Sequence, residues 1–278
     1  MSNEHASAVD VAREYYNSED ADNFYATIWG GNDIHVGLYY SDKDAISDAS
    51  LRTQERMLEH VSRTLGPESH VIDLGSGYGG SARYLADRYG CKVVALNLSE
   101  VENDRARKLN KEQGLDHLIE VIDGAFEDIP YPDETFDLVW SQDSFLHSPD
   151  RELVFREVAR ILKKGGEFVF TDPMQADDCP EDVLQPIFNR IHLESMGSPG
   201  FYRNTASAMG LEGGTFDELT VHLKRHYSSV LKQTIEHEDK LKSRVSEEYI
   251  RNMKNGLQHW VNGAEKGYLA WGVLHFIK

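Results

Sequence analysis

Between residues 71 and 171 short apolar runs alternate with stretches whose apolar residues recur at helical spacing, an order that leaves little besides a parallel sheet wrapped by helices. Residues 71–74 read as a buried strand, Gly75-Ser76-Gly77-Tyr78-Gly79-Gly80 as a turn, and residues 81–89 as a helix with Ala82, Leu85 and Ala86 inward. A second strand is predicted over 92–98. Ser99 and Glu102 then have the Ser-x-x-Glu spacing of a helix start, and Gly114 closes that helix. Further strands are predicted over 118–122, 136–141 and 167–171. Ser148-Pro149 marks a helix start between the last two, Gly165-Gly166 its end, and Leu153, Val154, Val158, Ile161 and Leu162 form its buried stripe.

The flanks differ from this centre. Before it lie Tyr15, Tyr16, Phe24, Tyr25, Trp29, Tyr39 and Tyr40, followed by a helix predicted over 44–65. After it, residues 180–265 read as mostly helical with a break at 197–200, and an apolar strand over 269–277 ends the chain. The expected organisation is a flap with a docking helix (1–66), a ligand-binding core (67–175), and a helical cap with the final strands (176–278). No repeat or low-complexity linker interrupts it.

Composition narrows the partners. The 278 residues carry 47 acidic and 29 basic side chains, a net charge of -18, with no basic run, so neither nucleic acid nor an anionic membrane is an expected partner. That spread acidity suits a salt-tolerant surface and an ordinary acidic enzyme equally. Cys91 and Cys179 are the only cysteines, too few and too isolated for a zinc site or a disulfide scaffold. Nothing in the first twenty residues reads as a targeting signal, so a cytoplasmic protein is expected, as monomer or homodimer. His222 and His226 share a helical face at i,i+4 but have no third ligand in sequence, and no metal is assigned to them.

The glycine turn satisfies G-x-G-x-x-G. The same string suits a nicotinamide enzyme, a methyl-donor enzyme or a merely tight turn, while the missing Lys-Ser or Lys-Thr excludes a Walker loop. Asp73, two positions before the first glycine, would repel a pyrophosphate and welcome an ammonium group, which favours a ligand with a cationic amino acid end. Asn97 ends the second strand where an acid usually grips ribose hydroxyls in both classes; an amide can also bond them.

Three segments now carry a resemblance: DLGSGYGG at 73–80, DGAFEDIPYPDETFDLVWS at 123–141 and ILKKGGEFVFTD at 161–172. In this order they resemble the class I methyltransferases that use S-adenosylmethionine, although Lys164 stands where that family often has proline. The resemblance implies an α/β, Rossmann-like seven-stranded sheet with helices on both faces, its last strand antiparallel. It implies that Asp73, Gly75 and Gly77 border the methionine part of the cofactor, Asn97 and Leu98 the ribose, and Asp123, Gly124, Ala125 and Phe126 the adenine, with Gly79 also a cofactor-binding residue. Gln142 would meet the amino acid end.

Outside the core, GGNDIHVGLYY (30–40), WSQDSFLHSPD (140–150), TDPMQ (171–175) and HWVNGAEKGYLAWG (259–272) resemble sarcosine/dimethylglycine N-methyltransferases, enzymes of glycine betaine synthesis. The resemblance implies a small zwitterionic amine as substrate. A methyltransferase for another amine, phenol or lipid-like acceptor, or a noncatalytic nucleotide-binding regulator, are the alternatives.

Methyl transfer from a sulfonium requires mainly that a nitrogen lone pair be held in line and water excluded. His147, just past the fourth strand, is the expected base. Tyr25, Trp29, Tyr39, Tyr40 and Trp140 are candidates for an aromatic cage around a charge that stays positive throughout, each face contributing about 0.5 to 2 kcal/mol. Pro173 and Met174 are expected to shape the amine pocket. Of Arg190 and Arg203, the latter is the expected partner of a substrate carboxylate.

Overall fold

The structure, a computed structural model, describes residues 13–278 except 15 and 31. Tyr15 and the start of the flap therefore lie outside the described residues. Nine strands carry the architecture. Seven form one sheet: β1 (His70–Leu74), β2 (Lys92–Asn97), β3 (Ile119–Asp123), β4 (Phe136–Gln142), β5 (Leu162–Thr171), β7 (Glu212–Glu218) and β9 (Gly272–Ile277), in the order β3-β2-β1-β4-β5-β9-β7. Two short strands, β6 (Met174–Gln175) and β8 (Leu269–Ala270), pair antiparallel beside it.

The first five strands of that order are parallel, and β9 runs antiparallel between β5 and β7. Strands buried on both faces need continuous apolar runs, and β1 and β2 leave only their first residue exposed. One face packs Ile72, Leu74, Val139 and Phe170 against α5 (Arg151–Ile161), and the other packs Val71, Val93 and Leu138 with α3 (Gly80–Tyr89). The chain reverses its direction of travel across the sheet between β1 and β4. The crevice beyond the carboxyl ends of these strands is the place where such sheets bind ligands.

Four local readings are corrected. Helix α5 ends at Ile161, and the Gly165-Gly166 pair lies inside β5. Leu162 pairs with Phe136 and pairing resumes at Glu167 with Leu138, so the glycines form a bulge rather than a helix end. The stretch taken as helical contains β7, whose Gly213-Gly214 pair disguised it. The closing strand breaks at Trp271 into β8 and β9. The helix predicted over 44–65 is α2 (Ile46–His60).

The flap and cap share a core of their own. Phe24 and Ile28 of α1 (Glu19–Ile28) and Trp29 pack on Val230 of α8 (Thr220–Glu236) and on Ile250, Met253 and Leu257 of α10 (Glu247–Glu265). The remaining elements are α4 (Glu100–Glu112), α6 (Gln185–Ile191) and α7 (Pro199–Ala208), a 3-10 turn at Phe145–His147, and a single turn α9 (Glu238–Leu241) before α10.

The flap's docking helix is tied to the sheet by one buried carboxylate. Glu167 of β5 accepts hydrogen bonds from Ser62 N (2.9 Å), Ser62 Oγ (2.9 Å) and Arg63 N (2.8 Å), and pairs with His275 Nε2 of β9 at 2.7 Å. Burial alone would raise its pKa, but these bonds together hold it below the ordinary 4.5. A carboxylate lowered in the folded state contributes stability that is complete above about pH 4.5 and is lost as pH falls through the lower, folded value. We expect Glu167→Gln to lower unfolding free energy by about 2 to 3 kcal/mol, because in either orientation its NH2 meets one backbone N–H, Ser62 N or Arg63 N, donor to donor. Urea titration at pH 7 measures the loss. The wild-type advantage over the variant should shrink on acidification below the carboxylate range.

Candidate active site

Two cavities open at the carboxyl ends of β1, β2 and β4. The first is bordered by Gly75, Gly77, Asn97, Leu98, Glu102, Gly124, Ala125, Phe126 and Gln142. The second lies under the cap and is bordered by Tyr25, Trp29, Pro173, Arg190, His226, Tyr227, Met253 and Trp260. Tyr16, Ile34, Asp143 and His147 border both, so these four side chains form the seam between them.

The first cavity owes its floor to the glycine turn. Gly75 has φ +72°, and a Cβ on it would lie 2.4 Å from Ser144 Cβ. Gly80 admits no side chain for another reason: its Cβ would fall 1.9 Å from Asp33 Oδ1, so the turn's last glycine is where the flap docks. Gly79 faces Arg83 and Ala106 and does not border the cavity. Nor does Asp73, buried inside β1. Its Oδ2 has no hydrogen-bond partner, and burial, together with the neighbouring Asp33, pushes its pKa up to about 8. Gln142 is oriented by its own oxygen, which accepts from Ser81 Oγ and Trp140 Nε1 and leaves Nε2 buried without a partner. The unanswered Gln142 donor beside the cavity fits a ligand end carrying a carboxylate, while the unanswered Asp73 oxygen lies buried in β1, outside the cavity's border.

Further along, Glu102 is buried and accepts from Asn97 Nδ2 at 2.9 Å, while its own backbone N–H donates to Ser99 Oγ. Burial raises the Glu102 pKa to about 7 against the lowering effect of the Asn97 bond. Asp123, expected against the adenine, lies outside the cavity: its exposed carboxylate is taken by Asn103 Nδ2 and Arg107. Phe126 borders the cavity, held edge-on by Phe145.

The seam is built with more constraint. Asp143 adopts φ +54°, and its half-buried carboxylate accepts from Val36 N (2.7 Å) and Trp271 Nε1 (2.8 Å), with desolvation raising its pKa. His147 meets the Tyr16 hydroxyl at 2.8 Å through Nε2. Burial, and secondarily Arg151, lowers the His147 pKa to about 4, so the ring is neutral near pH 7. Its loop is anchored one residue earlier, where Leu146 N donates to the buried carboxylate of Asp172 at 3.0 Å.

Several expected acceptor-site residues are elsewhere. Trp140 is fully buried in the sheet core and reaches the site only through Gln142. Tyr40 is 79% exposed beneath Arg52. Met174 packs in the core with Phe170, and Arg203 is exposed on α7, donating to Pro199 O. Tyr39 is buried behind the second cavity, its hydroxyl 3.0 Å from His226 Nδ1. Sequence reasoning missed Asp143, Tyr227 and Trp260, the last two stacked with ring centroids 4.7 Å apart. Trp260 lies in the quoted 259–272 segment and Tyr227 beside a singled-out histidine, so both were within reach.

A central glycine turn at the switch point of a seven-stranded sheet with an antiparallel penultimate strand, facing a cavity at the strands' carboxyl ends, defines a class I methyltransferase. A family described as "Methyltransferase domain" matches residues 72–170. A sarcosine/dimethylglycine N-methyltransferase of Halorhodospira halochloris is 65% identical over 98% of this chain and 97% of its own. One of Aphanothece halophytica is 50% identical over 96% of each. The crystal structure of a Galdieria sulphuraria protein assigned as a sarcosine dimethylglycine methyltransferase superposes with a TM-score of 0.90, at 42% identity over 95% of this chain and 98% of that one. The chain belongs to this family of N-methyltransferases.

Gly75→Val places a branched side chain into Ser144 and onto a left-handed backbone. Titration calorimetry with S-adenosylhomocysteine should show an affinity at least ~10-fold weaker, about 1.4 kcal/mol, in a variant that retains its far-ultraviolet circular dichroism.

Proposed function

We propose that the enzyme moves methyl groups from S-adenosylmethionine to the nitrogen of sarcosine and dimethylglycine, giving glycine betaine. The observation that carries this is the seam: a cavity with an unanswered amide donor meets an aromatic one at a neutral histidine. The names of relatives 47% to 65% identical over nearly the whole chain support it.

The bound cofactor supplies an electrophilic methyl group on a sulfonium. Gln142 would hold its amino acid end, with Asp73 a buried acid behind the turn, Asn97 and Glu102 would hold its ribose hydroxyls, and Ala125 with Phe126 its base. On the acceptor side Tyr25, Trp29, Tyr227 and Trp260 give the cationic nitrogen a wall of ring faces. Among the described residues bordering that cavity Arg190 is the only Lys or Arg, which makes it, in place of Arg203, the partner of the substrate carboxylate. Gly256 makes room for it, since a Cβ there would lie 2.9 Å from Arg190 Cγ.

His147 is too weak a base to strip an alkylammonium efficiently, yet being neutral it can accept a hydrogen bond or proton at the seam without repelling the cation. Its task is to orient the amine and, for sarcosine, to pass the proton released after methylation toward Tyr16 and solvent. Tyr16 and Ile34, both from the flap, close the seam against water.

Incubation with S-adenosylmethionine and either amine, followed by mass analysis, tests the reading. Betaine is expected, and donor binding with no methylated product from any small amine would overturn it. The pH dependence of kcat/KM should rise with amine deprotonation and show no inflection at the ordinary histidine value of 6.5, because His147 titrates near 4. Arg190→Ala should raise the dimethylglycine KM roughly 30-fold, the loss of about 2 kcal/mol from a charged hydrogen bond. Arg203→Ala should leave it unchanged.

A further inference from the structure

The two histidines of α8 have a shared task that their spacing alone does not reveal. Each turns Nδ1 toward the flap backbone: Tyr39 N donates to His222 Nδ1 at 3.1 Å, and Gly37 N donates to His226 Nδ1 at 3.2 Å. A backbone N–H can only donate, so Nδ1 of His226 is unprotonated, and the neutral ring carries its hydrogen on Nε2. Burial, with His35 as a secondary influence, lowers the His226 pKa to about 3 and keeps the ring neutral. Among the described residues nothing accepts from Nε2, and the ring borders the acceptor cavity. The flap thus fixes a tautomer that gives this cavity a neutral N–H donor.

We propose that His226 Nε2–H is a specificity-determining donor to the carboxylate of the acceptor, an assignment that rests on the reading of the substrate given above. An N-methylated glycine offers only two kinds of acceptor atom: its carboxylate oxygens, and a nitrogen lone pair that must point at the reacting methyl. A donor in this cavity can therefore serve only the carboxylate. Its neutrality matters too, because positive charge persists from sulfonium to quaternary ammonium, and a charged imidazole beside it would oppose binding.

The test separates the two ends of the ring. His226→Asn keeps an acceptor where Nδ1 meets Gly37 N and removes the donor. His226→Gln carries an amide donor to the Nε2 position and gives up the flap bond. Wild type and both variants are assayed with dimethylglycine and with N,N-dimethylethanolamine, which has the same amine and no carboxylate. For His226→Asn we expect the dimethylglycine KM to rise about 10- to 100-fold and the preference for dimethylglycine to fall by the same factor, with the S-adenosylmethionine KM unmoved. For His226→Gln we expect a lower melting temperature and a preference nearer that of wild type. Equal losses on both acceptors, or an unchanged preference in a folded His226→Asn, would overturn the assignment while leaving the substrate reading intact. Wild type that methylates neither sarcosine nor dimethylglycine would instead remove the reading on which it rests.

Discussion

The site depends on the carboxylate of Asp143. It sits just past the end of β4 in a left-handed backbone conformation, its own N–H donating to Thr171 O at 2.8 Å, so the loop is pinned to β5 before the side chain engages anything. The carboxylate then joins Val36 of the flap to Trp271, the residue at which the closing strand divides. Segments more than two hundred positions apart in sequence are thereby fixed at the crevice. A carboxylate largely withdrawn from water without a paired cation is costly, and here two well-directed N–H donors offset that cost only in part. Under the function proposed above, a cationic ligand at the seam would complete that balance.

The distribution of charge follows the chemistry on either side. Around the donor cavity carboxyl groups are buried and raised in pKa: Asp73 with no partner for one oxygen, Glu102 with an amide. Around the acceptor cavity the groups nearest the seam, apart from Asp143, are mostly aromatic rings and neutral histidines, and the single guanidinium among the described residues bordering it belongs to α6, beside α10. A reaction that only relocates a positive charge does not need a strong acid or base. It needs low resistance to that charge, which ring faces and neutral imidazoles supply.

Much of the core was legible because a parallel sheet enforces it. Strands buried on both faces must be continuous apolar runs, and the turn after β1 must be glycine where Ser144 crowds Gly75, so β1, β2 and β4 could be read directly, as could part of the first cavity's border but not the positions of Asp73, Gly79 and Asp123 outside it. The failures have equally physical causes. β7 is an edge strand with a Gly213-Gly214 bulge and little burial, which leaves no period-two pattern to find. Trp140 and Met174 resemble pocket residues by position, but their side chains point from the strand ends into the cores on either face of the sheet. Arg190 and Arg203 both fall in the cap, and nothing in sequence tells which helix faces inward. The acceptor cavity is assembled from α1, the flap, α6, α8 and α10, and such long-range convergence is not written in any local spacing.

Asn97 shows how a departure from a family pattern can be absorbed nearby. An amide at the end of β2 cannot by itself offer two strong acceptors to a diol. Its side chain donates to Glu102, however, and Glu102 lies in the first turn of α4, where the helix dipole and the Ser99 cap favour negative charge. The carboxylate is thus displaced by five residues, from strand end to helix start, and still borders the same cavity. Ser99-x-x-Glu102 reads in sequence as a reciprocal cap. In the folded chain only the serine half of that cap forms, because the glutamate turns toward Asn97, and a spacing that looks purely structural contributes an acceptor to the site.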